Sequence, residues 1–313
     1  VIATVTPNPS LDRTVAVHTL HRGEVHRARA RLDPGGKGVN VARVLAAAGH
    51  PTTALLPSGG PEGAHLGALL RREQVPVAEV PVRGATRSNL TVVEADGTTT
   101  KLNEPGAALD PAEARELSER AARLAEGADW LATCGSLPAD APEGLHADLV
   151  EAGRRAGART AVDTSGPALE RAVQVRPDLV KPNHDELAAL VGHPLPTLGS
   201  VLEVVHRLRE RGVGAALVSL GADGALLVEE AGAWHAHGPA PAVLSTVGAG
   251  DALLAGFLGA GGSGPQALRS AVAHGTAAVG LPGSRMPAPH DLHPETVHVT
   301  TVDTALTLTG AAP

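Results

Sequence analysis

Apolar, strand-like runs alternate with helical patterns along most of this chain, and that alternation limits the possible folds more than any other feature. Residues 2–6, 52–56, 130–133, 160–163, 179–181 and 215–219 read as buried strands. Helical patterns fall at about 39–49, 62–74, 111–126, 143–156, 184–191, 200–211, 251–260 and 265–280. Asp110, Pro111 and Glu113 give the third of these a clear start, as cap, first-turn proline and capping-box acid. Such a βα rhythm implies a parallel sheet, because parallel neighbours need long crossovers and helices supply them on both faces. A chain of 313 residues has room for one large α/β domain and a small appendage.

Two stretches break the rhythm. Residues 11–32 and 83–103 are richer in polar and β-branched residues, and Asp96-Gly97 offers a hairpin turn between 90–94 and 98–102. They are expected to form a small, half-exposed β lid beside a main domain of residues 1–10, 33–82 and 104–313. The apolar face of such a lid needs a cover, either the mouth of a site or another subunit. Residues 310–313 are expected to be a frayed tail.

Composition removes several classes of function. Net charge is −7 with no basic block, so nucleic acid and anionic membranes are not indicated as partners. No apolar run reaches membrane-spanning length, and residues 1–5 read as a strand rather than a signal peptide. Cys134 is the single cysteine, which makes an internal disulfide impossible and fits a reducing cytoplasm. With two Trp, one Phe and no Tyr, the core must be packed from Leu, Val and Ala, and aromatic stacking is not available as a main binding device. The fifteen histidines include no H-E-x-x-H, and His235-Ala236-His237 lacks a third nearby ligand. No G-x-S-x-G elbow is present for a serine hydrolase.

The chemistry concentrates in glycine turns. Val243-Leu244-Ser245-Thr246-Val247-Gly248-Ala249-Gly250-Asp251 reads as a short strand, a turn and a helix start with an acid in its first turn. Gly248 and Gly250 let backbone N–H groups approach an anion, and the helix N-terminus adds partial positive charge. Asp251 is placed to accept a proton from a hydroxyl attacking that anion, as phosphoryl transfer requires. A dinucleotide fingerprint fails here, since Leu253 stands at the third small position and no acid follows before Asp291. A P-loop fails as well: Gly36-Lys37 has Arg31 at the leading position and Gly38 after it.

Other blocks carry polar groups of matching character. Gly35-Gly36-Lys37-Gly38 runs into a helix bearing Asn40, a plausible grip for a polyhydroxylated, anionic ligand, and Asp12 can accept sugar hydroxyls. Arg87 offers a planar fork for a phosphate, although an exposed Arg on a sheet edge is its plainer reading. Gly135-Ser136 follows an apolar strand, where α/β sheets open their ligand crevice. Asn183 and Glu186 share one side of a helix's first turn, and Glu186 suits water held on Mg²⁺. An acidic helix start explains the same pair. Ser219, Gly221 and Gly224 close a strand with a turn consistent with nucleotide contact or with an ordinary hairpin.

In this order, from Thr6 to about Arg285, the blocks resemble the PfkB carbohydrate kinases of the ribokinase-like superfamily. Gly35-Gly36-Lys37-Gly38-x-Asn40 and Thr246-x-Gly248-Ala249-Gly250-Asp251 correspond to the family's two signatures. Thr6-Pro7-Asn8-Pro9-x-Leu11-Asp12, Leu102-Asn103-Glu104-Pro105-Gly106 and Ser245 to Asp251 look most like the 1-phosphofructokinase branch, with tagatose-6-phosphate kinases and 6-phosphofructokinases as neighbours. The resemblance implies a three-layer α/β/α domain with a mainly parallel sheet and a β lid, and an ATP- and Mg²⁺-dependent kinase. It implies Asp251 as base and Gly248, Ala249 and Gly250 as the anion hole. Asp12, Gly35, Gly36, Lys37, Asn40, Arg87 and Ser136 fall on the sugar-phosphate side. Lys181, Asn183, Glu186, Ser219, Gly221 and Gly224 fall on the nucleotide and magnesium side. Ser245, Val247, Ala278 and Gly283 stand where some relatives bind a monovalent cation such as K⁺.

The expected reaction is phosphorylation of fructose 1-phosphate at its 6-hydroxyl, with the acceptor's phosphate held by Lys37 and Arg87. A different ketohexose phosphate, an unphosphorylated sugar or nucleoside, and a non-catalytic sugar-phosphate sensor are the alternatives. Ser10 stands where the sugar-phosphate branches often carry Ala, and three prolines between 281 and 289 are expected to reshape the adenine wall. The lid suggests a cytoplasmic homodimer in which two copies cover each other's apolar faces.

Overall fold

Short runs of Val, Ala, Leu and Thr with no polar face have nowhere to go but between two layers of helices, and the first half of the chain builds that arrangement. A computed structural model describes residues 1–239 and 242–309; the expected frayed tail at 310–313 lies outside them. The elements begin with β1 (Ile2–Val5), β2 (Ser10–Ala16), β3 (Arg29–Gly35), α1 (Lys37–Ala47), β4 (Thr52–Ser58), α2 (Gly60–Arg72) and β5 (Val77–Pro81). Next come β6 (Arg87–Val93), β7 (Thr99–Asn103), α3 (Pro111–Ala125), β8 (Trp130–Cys134), α4 (Leu145–Arg155), β9 (Arg159–Asp163) and α5 (Gly166–Gln174). The chain continues with β10 (Leu179–Val180), α6 (His184–Val191), α7 (Leu198–Glu210), β11 (Ala215–Ser219), β12 (Ala225–Glu229) and β13 (Gly232–His237). It ends with α8 (Ala249–Gly259), α9 (Gly264–Val279) and β14 (His298–Thr301).

The central sheet of the described residues has the order β14-β13-β12-β11-β10-β9-β8-β1-β4-β5. Every pair from β11 to β5 is parallel, and β12, β13 and β14 add on antiparallel. From β1 the chain builds outward through β4 and β5, then returns to lay β8 on β1's other side. A crevice opens at such a reversal, beyond the carboxyl ends of the strands. The polar motifs that follow β1, β8, β9, β10 and β11 all sit at that end.

A second, four-stranded sheet has the order β3-β2-β6-β7. It carries the expected hairpin at Asp96-Gly97, and its edge strand β7 is exposed throughout. β3 continues through Asp33, Pro34 and Gly35, beyond the boundary expected after residue 32, because Ser10 to Asp12 on β2 supply ladder partners for all three.

Four strands and one helix were not legible in the sequence. α5 is only nine residues long and opens on Gly166-Pro167, which reads as a loop. β12 and β13 follow β11 as hairpins without an intervening helix, and the Trp-His-Ala-His segment of β13 hides its strand character. β5 and β14 are edge strands with weak alternation.

α8 is apolar all round and is sandwiched between α1 and α9 on the sheet, as a helix without a polar face must be. Phe257, the chain's only phenylalanine, is fully buried on it. Truncating it to Ala removes a large side chain from a core that has no other phenylalanine to refill the space. Phe257→Ala is expected to lower stability by about 3–5 kcal/mol, read as a shift of the urea midpoint at constant slope.

Candidate active site

The carboxyl ends of five parallel strands and the start of α8 bring most of the expected residues into one crevice. Gly36, at φ 112°, turns the chain from β3 into α1 so closely against β1 that a Cβ would lie 2.7 Å from the Thr6 methyl. That approach places Lys37 on the crevice floor, where its Nζ lies 2.8 Å from Asp163 Oδ1 and 3.4 Å from Glu186 Oε1. Lys181, just past β10, reaches the other oxygen of Asp163 at 3.2 Å. Asp163 is wholly buried at the end of β9, so its charge depends on those two cations. Burial works to raise its pKa, but Lys181 and Lys37 together hold it below the usual carboxylate range. Burial also opposes the charge on Lys37, yet Asp163 and Glu186 more than compensate and its pKa is raised.

α8 begins without a capping side chain. Gly248 is its N-cap in the left-handed region, φ 77°, where other residues are strained. Met286 packs where its Cβ would be. Among the described residues no backbone carbonyl accepts a hydrogen bond from the N–H of Gly250 or Asp251. Free amides at a helix N-terminus form an anion site, and a Cβ on Gly250 would stand 3.4 Å from Lys181 Nζ. Two lysines, a row of amides and a carboxylate therefore surround the same space.

Asp251, only 7% exposed, is the carboxylate. Asn40 Nδ2 on α1 donates to its Oδ2 at 2.8 Å. Its pKa is pushed up to about 6, first by burial and then by the negative charge of Asp163, against the opposing pull of Asn40, Lys37 and Lys181. A carboxyl group that titrates close to neutrality is suited to accept a proton.

Beside this centre lies a cavity of about 620 Å³. Asn183, Ser219, Gly221, Gly224 and Gly250 line its polar side, and Leu253, Val272, Val279 and Leu308 form an apolar wall. The wall thus comes from α8, α9 and the C-terminal segment. Residues 281–289, expected to shape it, do not line it: Met286 packs on Gly248 and Ser284 is buried against Arg43. Asn183 and Glu186 form a capping box on α6, with Asn183 Oδ1 accepting from Glu186 N at 2.7 Å and Glu186 Oε2 from Asn183 N at 2.9 Å. The acidic helix-start reading of this pair holds, while Oε1 remains turned to Lys37. Leu244 and Ser245 donate to the carbonyl of Val279, which brings the segment of Ser245 and Val247 alongside Ala278; Gly283 packs against Arg31. The described residues hold no cluster of three His, Cys, Asp or Glu side chains arranged for a metal.

On the opposite side, Asp12 on β2 accepts from Ser10 Oγ at 2.7 Å and Asn89 Nδ2 at 3.0 Å, over Gly35, where any Cβ would collide with it. Arg87 donates to the carbonyls of Glu104 and Asn8 at 3.1 and 3.0 Å, and Asn8 Nδ2 to Ser136 Oγ at 3.4 Å. The Lys37 ammonium meets the buried Asp163 and the half-buried Glu186, while the Arg87 guanidinium meets the Glu104 and Asn8 carbonyls. Asp163, Asn8 and Arg43 were not picked out from the sequence. An acid that ends an apolar strand was the one available signal for Asp163.

Comparison with known proteins agrees with this arrangement. Residues 8–291 match the pattern of the pfkB family carbohydrate kinases. The chain is 43% identical to the 1-phosphofructokinase of Rhodobacter capsulatus over 93% of its own length and 94% of that protein's. It is 38% identical to the ATP-dependent 6-phosphofructokinase isozyme 2 of Escherichia coli over 91% and 94%. The crystal structure of phosphofructokinase-2 from Escherichia coli in complex with potassium superposes with a TM-score of 0.86 at 37% identity, covering 93% of this chain and 96% of that one.

The position of Asp251 has a thermodynamic signature. Its folded pKa, about 6, lies above the ordinary aspartate value of 3.8, so the folded state binds more protons and this group's contribution to stability falls as pH rises through that window. Asp251→Asn removes the ionising group. Relative to the native protein, the variant is expected to gain stability progressively from about pH 4 to 6, levelling off above. A total on the order of 3 kcal/mol is expected from denaturation curves taken across pH.

Proposed function

The chain belongs to the pfkB family of carbohydrate kinases, and from that membership we propose that it transfers the γ-phosphoryl group of ATP to the 6-hydroxyl of fructose 1-phosphate. As a phosphotransferase with an alcohol acceptor it needs a base for the hydroxyl proton, a place for the charge on the moving group and a way to align the two substrates. The juxtaposition of Asp251 with the uncapped start of α8 and two lysines supports the reading most directly.

In the proposed reaction Asp251 accepts the proton of the C6 hydroxyl as that oxygen bonds to the γ-phosphorus. The bond to the β–γ bridging oxygen breaks, and ADP departs with that electron pair. By the resemblance the amides of Gly248, Ala249 and Gly250 stabilise charge on the transferring oxygens; the Gly250 N–H is open to them, and the Ala249 N–H would exchange its 3.4 Å contact with the Thr246 carbonyl. Lys37 and Lys181 stand on the same side and serve the phosphates of the donor, while Arg87 and Ser136 serve the acceptor's phosphate. Asp12 and Asn89 receive the sugar hydroxyls. The cavity bounded by Leu253, Val272 and Val279 suits an adenine, with Ser219, Gly221 and Gly224 along the phosphates.

Hard oxygen donors near the phosphate space suit Mg²⁺, which Glu186 would hold through water and which would neutralise phosphate charge. Ser245, Val247, Ala278 and Gly283 are the residues that would hold a monovalent cation, K⁺ by the resemblance. The exposed β7 edge and Leu102, 59% exposed on it, support a homodimer closed through the lid. No described helix is long and apolar enough to cross a membrane; a cytoplasmic setting is part of the same proposal.

The 38% identity to a 6-phosphofructokinase keeps fructose 6-phosphate as the second acceptor. ADP release from purified protein, ATP and Mg²⁺ is expected to be fastest with fructose 1-phosphate among that sugar, fructose 6-phosphate and tagatose 6-phosphate. A clear preference for either 6-phosphate would move the assignment to that branch. Asp251→Asn keeps the shape and loses the base, so kcat is expected to fall at least about 10²–10⁴-fold with a much smaller change in ATP affinity. Near-native turnover in that variant would remove Asp251 from its role.

A further inference from the structure

Arg43, on α1 one turn beyond Asn40, is 7% exposed, and a buried guanidinium is costly unless its donors are used. Here they are used on four separate parts of the chain. Nε and Nη2 fork onto Glu73 at the end of α2, at 2.6 and 3.0 Å. Nη1 donates to the carbonyls of Pro34, the penultimate residue of β3, and Ser284, each at 3.2 Å. It also faces Asn40 Oδ1 at 3.4 Å.

The last contact has a chemical consequence. A primary amide can sit either way round in its pocket, and its neighbours decide which end is which. A guanidinium only donates, so Arg43 keeps Oδ1 on its own side and the Nδ2 donor on Asp251. The flipped amide would set a carbonyl oxygen against the carboxylate. We infer that Arg43 is the positioning residue of this active site: clamped by Glu73, it orients the Asn40 amide toward Asp251 and ties the lid strand and the 284–286 segment to the same point. Met286, two residues past Ser284, packs on Gly248.

This assignment rests on the kinase reading for its kinetic consequences, but not for its geometry. The charged groups facing Asp251 are Lys37 from α1, Asp163 from β9 and Lys181 after β10, and Asn40 also faces Arg43; Glu73 faces only the guanidinium. Losing Asn40's donor leaves Asp251 with less to offset Asp163 and its own burial, so its proton affinity rises.

Arg43→Lys keeps a cation opposite Glu73 but lacks the fork needed to hold Glu73 and Asn40 together. It is expected to lower kcat about tenfold, with KM for ATP changed less. In an Asn40→Ala background the same substitution is expected to cost under about twofold, because there is no amide left to orient. Equal losses in both backgrounds would mean a purely structural role and overturn the inference.

A second readout needs no turnover. Each protein is compared with its own Asp251→Asn counterpart, and the pH at which their stability difference levels off is recorded. With Arg43→Lys in both members of the pair, that pH is expected to rise by about one unit. An unchanged level-off point would also overturn the inference. Arg43→Met serves as the stronger removal in both measurements. Should the native protein release no ADP with any of the three sugar phosphates, the kinase reading fails while this stability measurement still decides on Arg43.

Discussion

A carboxylate with no access to water sits between two ammonium groups at the floor of the crevice, and the site is arranged around that interaction. Asp163 closes β9, Lys37 opens α1 and Lys181 follows β10, so a single ion cluster joins three elements that enter from different parts of the fold. Buried charges persist only when paired. This pairing holds two ammonium groups beside the start of α8, and it sends the negative field of Asp163 toward Asp251. The first effect favours an incoming phosphate. The second raises the proton affinity of the base. One buried acid thus shapes both halves of the chemistry.

The arrangement trades stability for reactivity in ways visible at single residues. Gly248 holds a left-handed turn under Met286, and α8 starts with amides that no side chain caps. By contrast, α3, α6 and α7 each carry a complete capping box, so their first amides are already engaged. At α8 the same donors stay open to an anion. Asp251, likewise, is buried with one amide donor on its carboxylate, and the clamp on that amide comes from outside the reacting groups.

Much of this was legible residue by residue. Glycine spacing around 248–251 and 35–38 exposed the two turns, because a backbone that must approach another group closely leaves no room for a Cβ. The parallel strands other than the edge strand β5 show as apolar runs because both of their faces are covered. The hairpin alternative for the turn at 219–224 is the one found between β11 and β12, whereas β13, with its Trp-His-Ala-His run, and the distant edge strand β14 carry no clear strand pattern. The partners of Lys37 are hidden for a related reason: a lysine's charge is visible in sequence, but the carboxylate it meets lies 126 residues away. Arg43 stands three residues past the first signature and carries no signal of its own, as its partners are Glu73, two carbonyls and an amide that proximity alone reveals.

By itself, then, the order of residues determined the α/β layering, the lid hairpin, the glycine turns and the acid at the first turn of α8. Each of these depends on local periodicity, on the absence of a side chain or on a residue's place at a helix start. Only the tertiary structure decided which charges meet, which way an amide points and what forms the apolar wall of the cavity. Those outcomes depend on distances between segments far apart in the chain, where electrostatics and hydrogen bonding fall off within a few ångströms and no pattern along the sequence can record them.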